Sequence, residues 1–324
     1  MVCVLKSFFA ALLILVLCTG ASIASSELNL GFIPGQIISG TANTIFIVDQ
    51  KNNQIKVLDE NENLSVYAGS EKAGYKNGMK DEASFKHPHG MVADAFGNLY
   101  VSDTFNNVIR KIDRTGLVTT FAGSGIGFAD GKTTEAKFNS PMGLAIDKES
   151  NLYVADQRNQ RIRKISSSGE VTTIAGLGFE GYKDGAGHEA MFSYPEAVTV
   201  GMDGNVYVAD KVNHAIRVIS KEGVVSTLAG KPVRGFLDGS LSLALFDMPS
   251  DLSIDSLGNL LVVDSHNNAI RKIDLKNSNV ITVYGSNLTA TESGLHGPCT
   301  LLKLSDKQFL VGERTNLSLM KLSI

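Results

Sequence analysis

Gly97-Asn-Leu-Tyr-Val-Ser-Asp103-Thr-Phe-Asn106-Asn-Val-Ile-Arg110-Lys-Ile112 decides the fold. A Gly-Asn turn opens a β-favouring run that closes on Asp103, and an Asn three residues on starts the next run, Val108 to Ile112. Working outward, the acid-terminated run recurs at Ile45–Asp49, Leu152–Asp156, Val206–Asp210 and Leu260–Asp264. A degenerate copy occupies residues 309–313 and ends on Glu313. The five aspartates lie 53 or 54 residues apart. Asn52, Asn106, Asn159, Asn213, Asn267 and Asn316 hold the position three residues on. An aliphatic–basic pair then follows, Ile55-Lys56 in the first copy and Ile-Arg at Arg110, Arg163, Arg217 and Arg271, while the sixth keeps only Met320-Lys321.

Each period contains four short runs rich in Val, Ile, Thr and Tyr, separated by Gly, Asn, Asp and Ser, the pattern of antiparallel strands joined by tight turns. One four-stranded sheet cannot bury both its faces, whereas several packed radially can. The expected fold is therefore all-β, a six-bladed β-propeller of four-stranded antiparallel blades. The unit Gly-Asn-Leu-Tyr-Val-x-Asp-x-x-Asn-x-x-Ile-Arg-Lys-Ile resembles the NHL repeat, and the resemblance runs through nearly the whole mature chain. The chain has no tryptophan, which counts against WD40 repeats, and a leucine-rich solenoid has a shorter period.

The sixth copy has runs at 299–304, 308–311 and 317–322, and then the chain stops. Residues 27–32 are expected to supply its fourth strand, closing the ring and removing an exposed sheet edge. Four linkers carry Gly-aromatic-x-Asn/Asp-Gly followed by Ala-x-Phe-x-x-Pro, as in Gly127 to Gly131 leading to Phe138 and Pro141. The fifth, near 285–297, lacks both. Glycine allows the turn, phenylalanine is read as a plug between blades, and proline opens the inner strand. The repeated acids are read as caps for the turn that follows them, and the arginines as partners of acids between blades.

Lys6, the apolar run 8–17 and the small residues up to Ala24 read as a secretory signal peptide over residues 1–24, cut after Ala24 with Ala21 or Ser25 as alternatives. The run is shorter than the roughly 20 residues that span a bilayer. Residues 25–324 are then one propeller domain, secreted, with no stable membrane anchor. Sequons at Asn63, Asn287 and Asn316 fit that route. Thirty basic and 33 acidic residues leave no basic footprint for nucleic acid. Cys3 and Cys18 leave with the signal peptide, so Cys299 remains without an intramolecular partner, and the expected state is a monomer.

Function is sought where the copies differ. The residue after each inner-strand proline should face the central channel: His89, Met142, Glu196, Ser250 and Cys299, with Gly35-Gln36 at about that place in the first copy, which shows no matching proline motif. His89, Glu196 and Cys299 fall on alternate blades and would converge. Imidazole, carboxylate and thiolate are each zinc ligands, and Pro88-His89-Gly90 resembles the Pro-His motifs that hold zinc in peptidylglycine amidating lyases, also six-bladed propellers. The other corresponding positions depart from that motif. Calcium is the other metal considered, through the architectural likeness to calcium-dependent lactonases. A metal-free alternative pairs Cys299 with His89 as an activated nucleophile. His87, His188, His214, His266 and His296 are read as loop or turn residues. The leading functional expectation is a platform for an extracellular protein or small-molecule ligand, the general use of NHL propellers. The alternative is a hydrolase or lyase at the channel mouth.

Overall fold

The computed structural model describes residues 25–41, 43–285, 294–305 and 307–323. Six antiparallel sheets stand around an axis. Their inner strands are Pro34–Ser39, Pro88–Ala93, Pro141–Ile146, Pro195–Val200, Pro249–Ile254 and Pro298–Lys303, each packed on the next and the last on the first. The register is shared: each opening proline lies opposite the repeated acid of the second strand, from Pro34 opposite Asp49 to Pro298 opposite Glu313. Blade one therefore does have the inner-strand proline that its sequence context hides. The ring is tight at the axis. A β-carbon on Gly90 would lie 2.2 Å from the Met142 carbonyl oxygen, and one on Gly143 2.7 Å from that of Glu196, so these strands approach more closely than any side chain allows.

Second strands such as Leu99–Asp103 are buried along their whole length, because neighbouring blades cover both faces. Between blades three and four, Tyr153, Ile162 and Ala175 pack on Phe192, Val198 and Val208, and corresponding clusters fill the other five gaps. The sixth blade closes as expected: Ser25–Asn29 runs antiparallel to Ser318–Ser323, with Ser25 opposite Leu322 and Asn29 opposite Ser318. The strand lies two residues nearer the N-terminus than residues 27–32, because Leu30 and Phe32 leave the sheet to fill the seam between blades six and one. Blades two to five carry a short fifth outer strand that the sequence reading assigned to linkers: Gly78–Met79, Gly131–Lys132, Gly185–Ala186 and Gly239–Ser240.

The four patterned linkers are cages for the four arginines. Arg110, Arg163, Arg217 and Arg271 are fully buried, and each donates to the aspartate seven residues earlier in its own blade at 2.7–2.8 Å. The Arg163 guanidinium lies 5.0 Å from the Phe128 ring and 5.1 Å from the Phe138 ring. It also donates to the carbonyls of Ala129 and Lys137 and to the Asp130 carboxylate. The expected ion pairs between blades are thus replaced by pairs within a blade, completed by the preceding linker. Phe138 and its counterparts stack on arginine as well as filling a gap. Where the linker motif is missing, so is the arginine: Met320 holds its place in blade six. In blade one, which no patterned linker precedes, Lys56 stands 3.8 Å from Asp49.

The repeated acids also differ from expectation. Asp49 caps the turn after it, accepting from the Asn52 amide at 2.9 Å. In blades two to five one carboxylate oxygen instead accepts an amide 17 residues upstream, as from Asn139 to Asp156 at 2.8 Å, and Glu313 of blade six accepts the His296 amide in the same way at 2.7 Å. The other oxygen holds the turn Asn and the arginine. The preceding linker brings that upstream amide within reach, and blade one has no such linker.

Candidate functional site

Three sets of non-repeating side chains meet at one mouth of the channel because each sits beside a repeated residue. The first precedes the inner-strand proline and includes Ile33, His87, Tyr194 and Met248. The second follows the proline: His89, Met142 and Glu196, with Ser250 on the adjoining cavity. The third follows the repeated acid: Gln50, Gln157, Lys211 and Arg314. They enclose about 460 Å³, and a neighbouring cavity of about 420 Å³ shares Lys211 and Arg314 with it. Volumes of this size accept small organic ligands.

Staples between blades hold the first set. His87, Ser140, Tyr194 and Met248 adopt left-handed backbone, with φ of 50–54°, which costs on the order of 1–2 kcal/mol each in a side-chain-bearing residue. In return each amide finds a side-chain acceptor on the preceding blade: Asn53 for His87 at 2.9 Å, Asn107 for Ser140 at 2.9 Å, Gln160 for Tyr194 at 2.7 Å and His214 Nδ1 for Met248 at 3.1 Å. His87 and His214, read from the sequence as loop histidines, are thus a wall of the mouth and an inter-blade staple. His87 stacks on Phe105 with ring centroids 4.5 Å apart.

Below the mouth the channel narrows to a space of about 10 Å³ lined by His89, Glu196, Asp251 and Cys299, room for roughly one water. The structure therefore does bring the three expected residues to one constriction, but not as a metal set. Among the described residues no three His, Cys, Asp or Glu side chains are grouped to hold an ion. Each is turned to its own partner. Glu196, 3% exposed, accepts from Lys211 Nζ at 2.5 Å and from Gln157 Nε2 at 3.3 Å. The Cys299 thiol lies 3.3 Å from the carbonyls of both Pro34 and Gly312, which share its one proton, and burial pushes it up to about 12. So held, the thiol is protonated, and the expected Cys299–His89 pair is absent among the described contacts. These residues do not fit zinc or calcium.

His89 differs from its neighbours. Its Nδ1 is buried and has no hydrogen-bond partner among the described residues. Burial, then the positive charges of Lys211 and Arg314, push the imidazole down to about 3, so it is neutral. Asp251, which the sequence reading passed over, accepts from the Thr300 hydroxyl and the Leu301 amide, both at 2.9 Å, and from the Leu252 amide at 2.8 Å. It staples blade five to blade six, and burial raises its carboxyl to about 6. Lys211, Arg314, Tyr194 and Gln157 were also passed over. Their signal was available: each is a variable position flanking a repeated acid or proline.

Of the sequons, Asn63 is exposed and donates to Asp59 at 3.0 Å. Asn316 is the turn residue of blade six, donating to Glu313 at 3.3 Å, and the Ser318 of its sequon is fully buried. Asn287 and residues 1–24, expected from the sequence to be a signal peptide, lie outside the described residues.

The NHL repeat family model matches residues 192–219 and 246–273, in each case from the caging phenylalanine through the arginine strand of blades four and five. NHL repeat-containing protein 2 of Bos taurus is 30% identical over 291 residues, covering 78% of this chain and 40% of that protein. The chain spans less than half the length of the curated relatives it matches. A solved Bacteroides thetaiotaomicron protein of unknown function superposes with a TM-score of 0.68 at 16% identity, covering 93% of this chain and 76% of that one. Virginiamycin B lyase from Staphylococcus aureus gives 0.62 at 14%, covering 94% and 100%. At those identities the likeness is one of fold. Repeat match, caged arginines and shared register agree: the chain carries the NHL repeat, and that repeat is the blade of its propeller.

Proposed function

We propose that this propeller is a binding platform whose recognition site is the channel mouth, and that it acts outside the cell after a signal peptide over residues 1–24 directs its secretion. One observation carries the platform reading: a scaffold that repeats its acid, Asn and arginine gathers its non-repeating side chains around one ligand-sized cavity. Repeated residues are occupied in holding blades together, which leaves the variable ones free to select a partner. The partner is an extracellular protein or small molecule. The balance of charge offers nucleic acid no footprint, and no helix among the described residues is long and apolar enough to cross a membrane.

The test immobilises residues 25–324, exposes them to extracellular fluid and identifies retained molecules by mass spectrometry. Tyr194→Ala and Met248→Ala should lose the retained ligand, while Met202→Ser and Leu257→Ser, exposed in turns between first and second strands, should keep it. Retention that ignores the mouth variants would overturn the assignment. A second reading, a hydrolase or lyase at the same mouth, is favoured by the neutral, unpartnered His89 Nδ1, a group free to hydrogen-bond a substrate. Conversion of the retained molecule, lost in His89→Ala, would establish it.

A further inference from the structure

We infer that the mouth binds a small organic monocarboxylate, with Arg314 taking the carboxylate and Met142, Tyr194 and Met248 taking its apolar body. This deepens the platform reading and rests on it. The charge balance of the cavity points that way. Lys211 is already neutralised by Glu196 at 2.5 Å. Arg314, exposed and shared by both cavities, has no hydrogen bond or ion pair to its guanidinium among the described residues. Its amide donates to the Gly297 carbonyl at 2.8 Å, which fixes the backbone from which the side chain projects. Of these two cations Arg314 is the one without a carboxylate partner among the described contacts, while Asp247 lines the second cavity with it. The planar fork of guanidinium suits a carboxylate, which it grips through two parallel hydrogen bonds.

A second, independent feature is the buried His89 Nδ1, which lacks a partner on a side chain that lines the same cavity. Unmet buried polar atoms are costly, and a ligand oxygen or a water it holds relieves that cost. The field agrees with the geometry: burial is the main cause of the lowered His89, and the positive charges of Lys211 and Arg314 lower it further. A dianion is disfavoured: only one cation is free, and the nearly buried Glu196 carboxylate lines the same wall. The thioethers of Met142 and Met248 and the ring of Tyr194 offer adaptable apolar contact to the rest of the ligand.

The probe is 4-fluorophenylacetate, followed by ¹⁹F line broadening on residues 25–324, with 4-fluorophenylacetamide and inorganic phosphate as comparisons. The acid should bind, acetate should displace it and phosphate should not. Arg314→Gln should weaken binding about tenfold to a hundredfold, the loss of a charged hydrogen-bonded contact, with an unchanged melting temperature because the side chain supports nothing else. Arg314→Lys, which keeps the charge without the fork, should fall between. Equal binding of amide and acid, or an unaltered affinity in Arg314→Gln, overturns the carboxylate assignment and leaves the mouth as a binding site. Binding of neither compound overturns the ligand class, and the retention experiment with the Tyr194 and Met248 variants then decides the platform reading separately.

Discussion

Arg163 donates to the Asp156 carboxylate at 2.8 Å with both side chains wholly removed from solvent. Removing one partner of a buried pair strands the other charge, a loss of about 3–5 kcal/mol. Arg163→Ala should cost that much in urea denaturation. Lys56→Ala, at the equivalent but looser and partly exposed site in blade one, should cost about 1 kcal/mol or less. Equal losses would mean that the aromatic cage contributes nothing.

The N-terminal strand is the closing element of the ring. Deleting residues 25–32 removes the partner of Ser318–Ser323 and the seam residues Leu30 and Phe32. The truncated chain should melt at a sharply lower temperature and aggregate through its bared edge. A melting curve matching that of residues 25–324 would show that closure lies elsewhere.

His89 makes stability depend on pH with a defined sign. Its folded value, about 3, lies below the ordinary 6.5, so between those values the unfolded chain binds the additional proton. The contribution is complete above pH 6.5 and drains away as pH falls toward 3. On going from pH 7.5 to 5, wild type should lose more melting temperature than His89→Asn. Arg314→Gln, which removes one repelling charge, should move the His89 titration upward in an NMR experiment. A His89 titration that stays put would contradict the charge coupling.

His214 replaces the Asn or Gln used in the other staples, accepting the Met248 amide through Nδ1. Burial lowers its pKa first, and the neighbouring Asp247 charge opposes that without reversing it. Protonation fills the lone pair and ends the staple. His214→Asn should therefore match wild type at pH 7.5 and exceed it at pH 5, while His214→Ala should lose about 1 kcal/mol at pH 7.5. An asparagine variant that tracks wild type across that range would remove histidine protonation from the account.

Much of the fold was legible because its determinants are local and repeated. Asp103, Asn106 and Arg110 recur in register, and the missing strand of the last copy implies a donor elsewhere. The cages were harder to see. Phe138 reads only as a plug between blades until the chain folds a linker back and sets it and Phe128 over Arg163. At the mouth, His89 and Glu196 were found from one register position, whereas Lys211 and Arg314 belong to a second, 15 residues or so further along each copy. Only ring closure makes the two registers face one space.

Residue type and period alone determined that this chain forms six blades, which acids and arginines recur, and that its N-terminus must complete the last sheet, because hydrogen-bond pairing and strand alternation depend on local spacing. Tertiary structure decided what those groups do. Radial packing chose the partner of each buried arginine, turned the Cys299 thiol to backbone carbonyls, joined Glu196 to Lys211 and left Arg314 and His89 Nδ1 beside one cavity with no partner among the described residues. Those outcomes depend on which blade lies next to which and on how much water the ring excludes, and both are properties of the closed circle rather than of any single repeat.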